Sequence, residues 1–164
     1  MNTAYDATDW NDFFVMAGGA GAALAGLLFV AVSFNHEQIL ANPTLPPLSA
    51  RALGTLIVLV IQCALGLAPG QSVRALGVET IDVGLALSWL VLASTVSEFK
   101  YLEQRRWRTG RLVLSLASMI PTLAAGISIV AGWGGGLFWI LAEVIVGFGL
   151  SGYTAWILLI EIRR

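Results

Sequence analysis

An all-α bundle of about five membrane-spanning helices is the fold class that three observations predict. Of 164 residues, 57% are hydrophobic and only 12% are charged, where a soluble domain carries roughly 25% charge. The mean hydropathy is +0.82. Five apolar runs, about 13–34, 50–67, 80–96, 112–130 and 137–160, approach the roughly 20 residues needed to cross a hydrocarbon core of about 30 Å. A water-soluble globular domain is thereby excluded. With such short connections the chain, 1–164, reads as a single membrane domain.

The first run follows Asp6, Asp9 and Asp12 with no Lys or Arg before it. A secretory signal opens with basic residues, so this run is expected to stay as a helix. Segment 35–49 contains Pro43, Pro46 and Pro47, which remove backbone donors and disfavour helix before each proline, so it reads as a bent loop. The second run stops at Pro69-Gly70, a turn signal, before a polar loop with Gln71, Ser72 and Arg74. The third ends at the most polar stretch of the chain, 98–111, and the fourth carries Pro121 near its middle. Trp133-Gly134-Gly135-Gly136 breaks the chain before the last run, which leads to Arg163 and Arg164.

Basic residues in short loops mark the cytoplasmic side. With five spans and the amino terminus outside, Arg51, Lys100, Arg105, Arg106, Arg108, Arg111, Arg163 and Arg164 fall inside, eight of the nine basic residues, and only Arg74 falls outside. This places the carboxyl terminus in the cytoplasm and suggests a bacterial inner membrane. Lys100, Arg105, Arg106, Arg108 and Arg111, interleaved with Tyr101 and Trp107, have the composition of a segment contacting anionic lipid headgroups. Topology already accounts for these charges, and a near-balanced total of nine Lys+Arg and ten Asp+Glu gives no electrostatic footprint for nucleic acid.

Polar side chains within the spans carry the functional reading. Glu143 falls about six positions into the last span, roughly 9 Å below its outer boundary at about 1.5 Å per residue. An ionisable group at that depth faces a partner or a cavity and is by default a functional candidate. Gln62, Asp82 and Thr122 are expected at similar depth, with Ser128 able to join them, and together with Glu143 they outline either a ligand or ion path in the outer half of the bilayer or a set of interhelical hydrogen bonds. In the first span Gly18, Ala22 and Gly26 recur every four residues and form a small-residue face suited to close helix packing, within the subunit or between copies of a homo-oligomer. An offset of 60 relates Arg51 to Arg111, Thr55 to Ser115, Gln62 to Thr122 and Gly66 to Gly126, with Asp82 and Glu143 offset by 61. The four later spans therefore read as two related hairpins.

Catalytic constellations fail on composition. Gly149-Leu150-Ser151-Gly152 matches the GxSG pattern of rhomboid-type intramembrane proteases, but the one histidine, His36, lies at the far end of the first span. One cysteine, Cys63, inside an apolar run, permits neither an intramolecular disulfide nor a cysteine metal cluster. No phosphate-binding glycine motif is present, so neither an enzyme nor a cofactor is expected.

Trp10, Phe13-Phe14 and the run Gly21-Ala22-Ala23-Leu24-Ala25-Gly26-Leu27-Leu28-Phe29-Val30-Ala31-Val32-Ser33-Phe34-Asn35 resemble a pattern in small bacterial integral membrane proteins. Some of these carry the label "modulator of FtsH protease", after a membrane-anchored AAA protease. The resemblance covers the first span and its flank. It implies a non-catalytic accessory of a membrane protein complex and brings no catalytic residues with it. The reading from the residues is a homo-oligomeric channel or small transporter in contact with lipid, and the accessory subunit is the alternative.

Overall fold

The computed structural model describes residues 3–99 and 105–161, the side chains of 98, 99, 105–108, 111 and 158–161 excepted. The described residues form α1 (Asn11–Phe34), α2 (His36–Ala41), α3 (Leu45–Gly66), α4 (Val73–Phe99), α5 (Arg105–Ala131) and α6 (Phe138–Glu161), with two short 3-10 turns, Thr3–Tyr5 and Ala7–Trp10, ahead of them. No strand occurs among them. Five of the helices are long and apolar enough to cross a membrane. At 22 to 27 residues each, they run about 33 to 40 Å at about 1.5 Å per residue.

Four of the five long helices, α1, α3, α4 and α5, begin earlier than the apolar runs suggest. Pro46 and Pro47 open α3 rather than a loop, because the first helical positions lack an N–H partner in any case and proline's φ suits them. Asn42 prepares this start, its Oδ1 accepting from the Thr44 N–H at 3.1 Å and the Thr44 hydroxyl at 2.9 Å. Within the expected loop, α2 folds back and buries Ile39 against Leu28, Leu45, Leu48, Ala52 and Leu56. Val73 to Glu79, read as loop and flank, is the first two turns of α4, and α5 starts seven residues before the apolar run. Polar flanks stay helical because a helix continuing into the headgroup region satisfies its own backbone.

Helices α3, α4, α5 and α6 close a ring in which each packs on the next and α6 returns to α3, while α1 lies outside against α3. Neighbours in the ring are antiparallel: Gln62 meets Thr80, Gly126 meets Ile81, and Ser151 meets Ala52. The amino terminus, the α3–α4 turn and the α5–α6 turn therefore share one end of the bundle. Only 17% of the α1 window is buried, against 50% for α3 and α5. Apolar side chains exposed on α1, such as Leu27 and Phe29, are at home in lipid, where burial against protein supplies little hydrophobic drive.

Most of the small-residue face of α1 turns away from α3 in the single chain. Phe14, Ala17, Gly21 and Leu28 are the buried positions of α1. Gly18 lies at the edge of that face, where an added Cβ would meet Cys63 at 3.1 Å. Ala22 and Gly26 are exposed, and an added Cβ on Gly26 would meet nothing within 4 Å. Bulk decides this choice. Gly21 fits over Leu59 and Val60 between the large Phe14 and Leu28, which pack against the ring.

Candidate functional site

Each helix of the ring contributes one deeply buried polar side chain toward the amino-terminal end: Gln62 from α3, Thr80 from α4, Thr122 from α5 and Glu143 from α6. Gln62, Thr80 and Thr122 are 0% exposed and Glu143 is 3% exposed. They lie four to nine residues from the ends of their helices at that end of the bundle, about 6 to 14 Å deep at about 1.5 Å per residue. The surrounding core is apolar: Leu59, Cys63, Leu76, Ala125, Ile140 and Val144 belong to one packed cluster. Cys63 is buried there, as expected of a small core residue.

Two of the four are joined in a relay. Gln62 Nε2 donates to Thr80 Oγ1 at 2.7 Å, and the Thr80 hydroxyl donates to the Leu76 carbonyl at 2.7 Å. Gln62 Oε1, Thr122 Oγ1 and both Glu143 carboxyl oxygens are buried with no hydrogen-bond partner among the protein groups. The Thr122 hydroxyl lies beside the Glu143 carboxyl without meeting it in hydrogen-bond geometry. The buried threonines Thr55, Thr80, Thr95 and Thr154 all donate to the carbonyl four residues back, and Thr122, just after Pro121, does not. Orphan groups of this kind each cost about 1 to 3 kcal/mol when left unmet, which makes these residues the candidate site.

Asp82 does not join this layer, a correction to the four-residue set. It is exposed on α4 in a strip with Val78, Leu85 and Trp89. The reason is rotation: two residues along a helix turn the side chain about 200°, so with Thr80 inward Asp82 must point outward. Ser128 does not join either. Its hydroxyl donates to the Trp133 carbonyl at 2.6 Å and accepts from the Gly136 N–H at 2.7 Å, fastening the α5–α6 turn.

That turn closes the amino-terminal end of the bundle. Gly132, Gly134, Gly135 and Gly136 all have positive φ, a region that favours residues without a Cβ. The Leu137 N–H donates to the Ala4 carbonyl at 2.8 Å and the Gly135 N–H to the Tyr5 hydroxyl at 3.2 Å. Trp10 packs edge-on against Phe13 and Phe138. The 3-10 segment is held by Asp6, whose carboxylate accepts from the Thr8 N–H and hydroxyl. These bonds hold its carboxyl below the ordinary value.

Two openings lie near the two ends of α3. At the amino-terminal end a cleft of about 350 Å³ is lined by Ala7, Asn11, Gly66, Pro69, Gln71 and Leu76. Gly66 and Leu76 sit one turn from Gln62 and Thr80. Toward the opposite end a cavity of about 20 Å³ is bordered by Arg51, Thr55, Ser118, Leu150, Tyr153 and Thr154, room for one water. Nearby, Arg51 Nη1 donates to Ser115 Oγ at 3.3 Å, and Ser115 and Thr95 share a hydrogen bond at 2.8 Å.

Thr80 and this second polar layer were missed in the sequence, although one signal points to them. Residues equidistant from a hairpin turn face each other: 62 and 80 lie nine residues either side of Gln71, and 95 and 115 lie ten either side of Arg105. The proposed headgroup side chains, Lys100, Arg105, Arg106, Arg108 and Arg111, lie outside the described residues. His36 is exposed at the start of α2, while the Ser151 hydroxyl is buried and donates to the Ala52 carbonyl at 3.4 Å. Among the described residues no three His, Cys, Asp or Glu side chains form a metal-binding group. Comparison with protein-family models, with curated proteins and with solved structures finds no match.

Proposed function

We propose that this multi-pass membrane protein is a channel or small transporter, non-catalytic, that moves a small polar species through the α3–α6 ring by way of Glu143. The observation that carries the reading is Glu143, a carboxyl buried inside the ring with neither oxygen in hydrogen-bond geometry with a protein donor. Gln62 and Thr122 assist it. In this reading the buried Leu76 and Leu137 on one side and Leu56 and Leu59 on the other close the path, and their movement opens it. The membrane fits the bacterial inner membrane, with the cleft on the outer face by the distribution of basic residues. The test is flux into proteoliposomes holding wild type or Glu143→Gln. Wild type is expected to conduct and the variant to lose most of that flux; indistinguishable rates overturn the assignment.

A second reading is favoured by one specific observation, the carboxylate of Asp82 exposed among Val78, Leu85 and Trp89. An acid within a span is costly in lipid, which supports a covering neighbour. In the channel reading that neighbour is another copy of this chain. In the alternative it belongs to a membrane complex, such as a membrane-anchored protease, that this chain accompanies. The subunit composition of the particle extracted gently from its membrane separates the two.

A further inference from the structure

We infer that the outward stripe of α4 at Asp82, Ala86 and Trp89 docks a transmembrane helix of a different membrane protein, one that carries a lysine or arginine at the depth of Asp82. The inference rests on the second reading, of this chain as companion to another membrane protein, and adds where the partner sits and what chemistry it brings.

Depth comes first. Asp82 lies nine residues beyond Val73, the start of α4, about 14 Å along the helix at about 1.5 Å per residue. Packing on α5 sets the same level: Gly126 lies against Ile81 and Gly84 against Thr122, five and nine residues from the end of α5. Trp89 lies two turns deeper, sixteen residues from one end of α4 and ten from the other. Indole rings favour the membrane interfaces, yet this one is 78% exposed well inside a span. Ala86 is exposed between the two. Residues three, four and seven apart share a helix face, so the three form one stripe. Neither the Asp82 carboxylate nor the Trp89 indole N–H has a hydrogen-bond or ionic partner among the described residues. The nearest basic residue along the helix, Arg74, stands eight residues toward the headgroups, about 12 Å away along the axis.

A second copy of this chain does not complete the stripe. Copies share one orientation in the membrane, so a twofold contact sets carboxylate against carboxylate and indole N–H against indole N–H. A proton shared between the carboxyls still leaves both indoles without an acceptor. The other outward faces serve no better. Near the level of Asp82 they present Ala22 on α1, Ile61 on α3, Ile127 on α5 and Ile145 on α6, none with a hydrogen-bonding side chain. The missing group therefore comes from another protein. An acid at this depth is matched by a group of opposite charge, which for a carboxylate is lysine or arginine. Ala86 lets the partner's helix approach closely beside it.

The test is photo-cross-linking of the full-length protein in its native membrane, with Leu85→benzoylphenylalanine, a position exposed between Asp82 and Trp89, and identification of the adduct by mass spectrometry. The expected adduct joins this chain to another membrane protein whose cross-linked span holds a lysine or arginine at the matching depth. Asp82→Asn, which keeps the shape and removes the charge, is expected to lower its yield about tenfold or more. Asp82→Lys, combined with an acid at the partner's basic position, is expected to restore it. Adducts with lipid alone or with a second copy, a partner span without the basic residue, or a yield indifferent to Asp82→Asn overturns the inference. Its failure is separable from that of the accessory reading. A particle that contains a second protein but links nothing at Leu85 keeps the accessory and removes this contact, and a linked partner in a particle that conducts does the reverse.

Discussion

Hairpin α3–α4 pairs an amide with a hydroxyl at the depth where hairpin α5–α6 pairs a hydroxyl with a carboxyl. Gln62 and Thr80 lie nine residues either side of Gln71, and Thr122 and Glu143 lie ten residues before Gly132 and ten after Trp133. Each pair is buried. The first is satisfied through the bond to Leu76 except at Gln62 Oε1, and the second is unsatisfied throughout. Asp82 has the sequence offset that makes it the counterpart of Glu143, yet it faces outward. Mirror position about the turn, rather than translation along the chain, governs what meets inside an antiparallel hairpin. A difference of one or two residues rotates a side chain by about 100° or 200° and moves it from the core to the lipid face.

The largest break between the hairpins is expected at the equivalent glycines Gly66 and Gly126. A Cβ on Gly126 would stand 2.8 Å from the backbone nitrogen of Ile81 and 3.0 Å from the carbonyl oxygen of Gly77, so α4 itself must move. A Cβ on Gly66 would meet the ring of Phe14 at 2.6 to 2.8 Å, and Phe14 belongs to the peripheral α1, which has room to give. Gly126→Ala is expected to cost about 3 kcal/mol and Gly66→Ala about 1 kcal/mol, within the range for overpacking. Gly26→Ala, with open space around it, is expected to change stability by less than about 0.5 kcal/mol, as a substitution away from packed features does. Equilibrium unfolding in mixed micelles checks the order, and equal costs at 66 and 126 would mean that α1 is an integral wall of the ring.

Much of this was legible without coordinates, for reasons that also show where reading stops. Five spans are visible because lipid demands long apolar runs, and Glu143 stands out because acids are rare inside them. Burial of Asp82 was inferred from depth alone, which leaves rotation about the helix axis undetermined, although the mirror relation about Gln71 supplies that rotation and picks Thr80. On α1 small residues recur on more than one side, Gly18, Ala22 and Gly26 on one and Ala17 with Gly21 on the other. Only the bulk of Phe14 and Leu28 tells which face α3 receives. The starts of α3 and α4 were placed late because Pro46, Pro47 and the polar residues before Thr80 resemble loop composition in water.

The next contrast concerns sign rather than size. A structural acid loses stability when replaced, whereas an acid kept for function in an unsatisfied site gains it. Glu143→Leu is expected to stabilise the fold by about 1 to 2 kcal/mol, as replacing buried ionic groups with apolar ones of similar volume does, while abolishing flux. Asp82→Leu is expected to leave the folded chain as stable as before, since its carboxylate is exposed, and under the proposed assembly to reduce the mass of the particle. Destabilisation by Glu143→Leu would return Glu143 to an interhelical hydrogen bond.

The smallest expected effect compares Thr55 with Ser115, counterparts one layer deeper. Thr55 spends its proton on the Arg51 carbonyl of its own helix at 2.9 Å, and its methyl lies where an added Cβ on Gly147 would find it at 3.5 Å. Ser115 bonds across helices, sharing a hydrogen bond with Thr95 at 2.8 Å and accepting from Arg51 at 3.3 Å. Interhelical hydrogen bonds in membranes average about 0.6 kcal/mol, so Ser115→Ala is expected to cost about that much. Thr55→Val keeps the methyl contact and loses only a bond within one helix, so it is expected to cost about half as much or less. A Ser115→Ala cost no greater than that of Thr55→Val would mean that α4 and α5 are held by glycine packing at Gly77, Gly84 and Gly126 alone, with the hydroxyls retained to line the cavity bordered by Ser118 and Thr154.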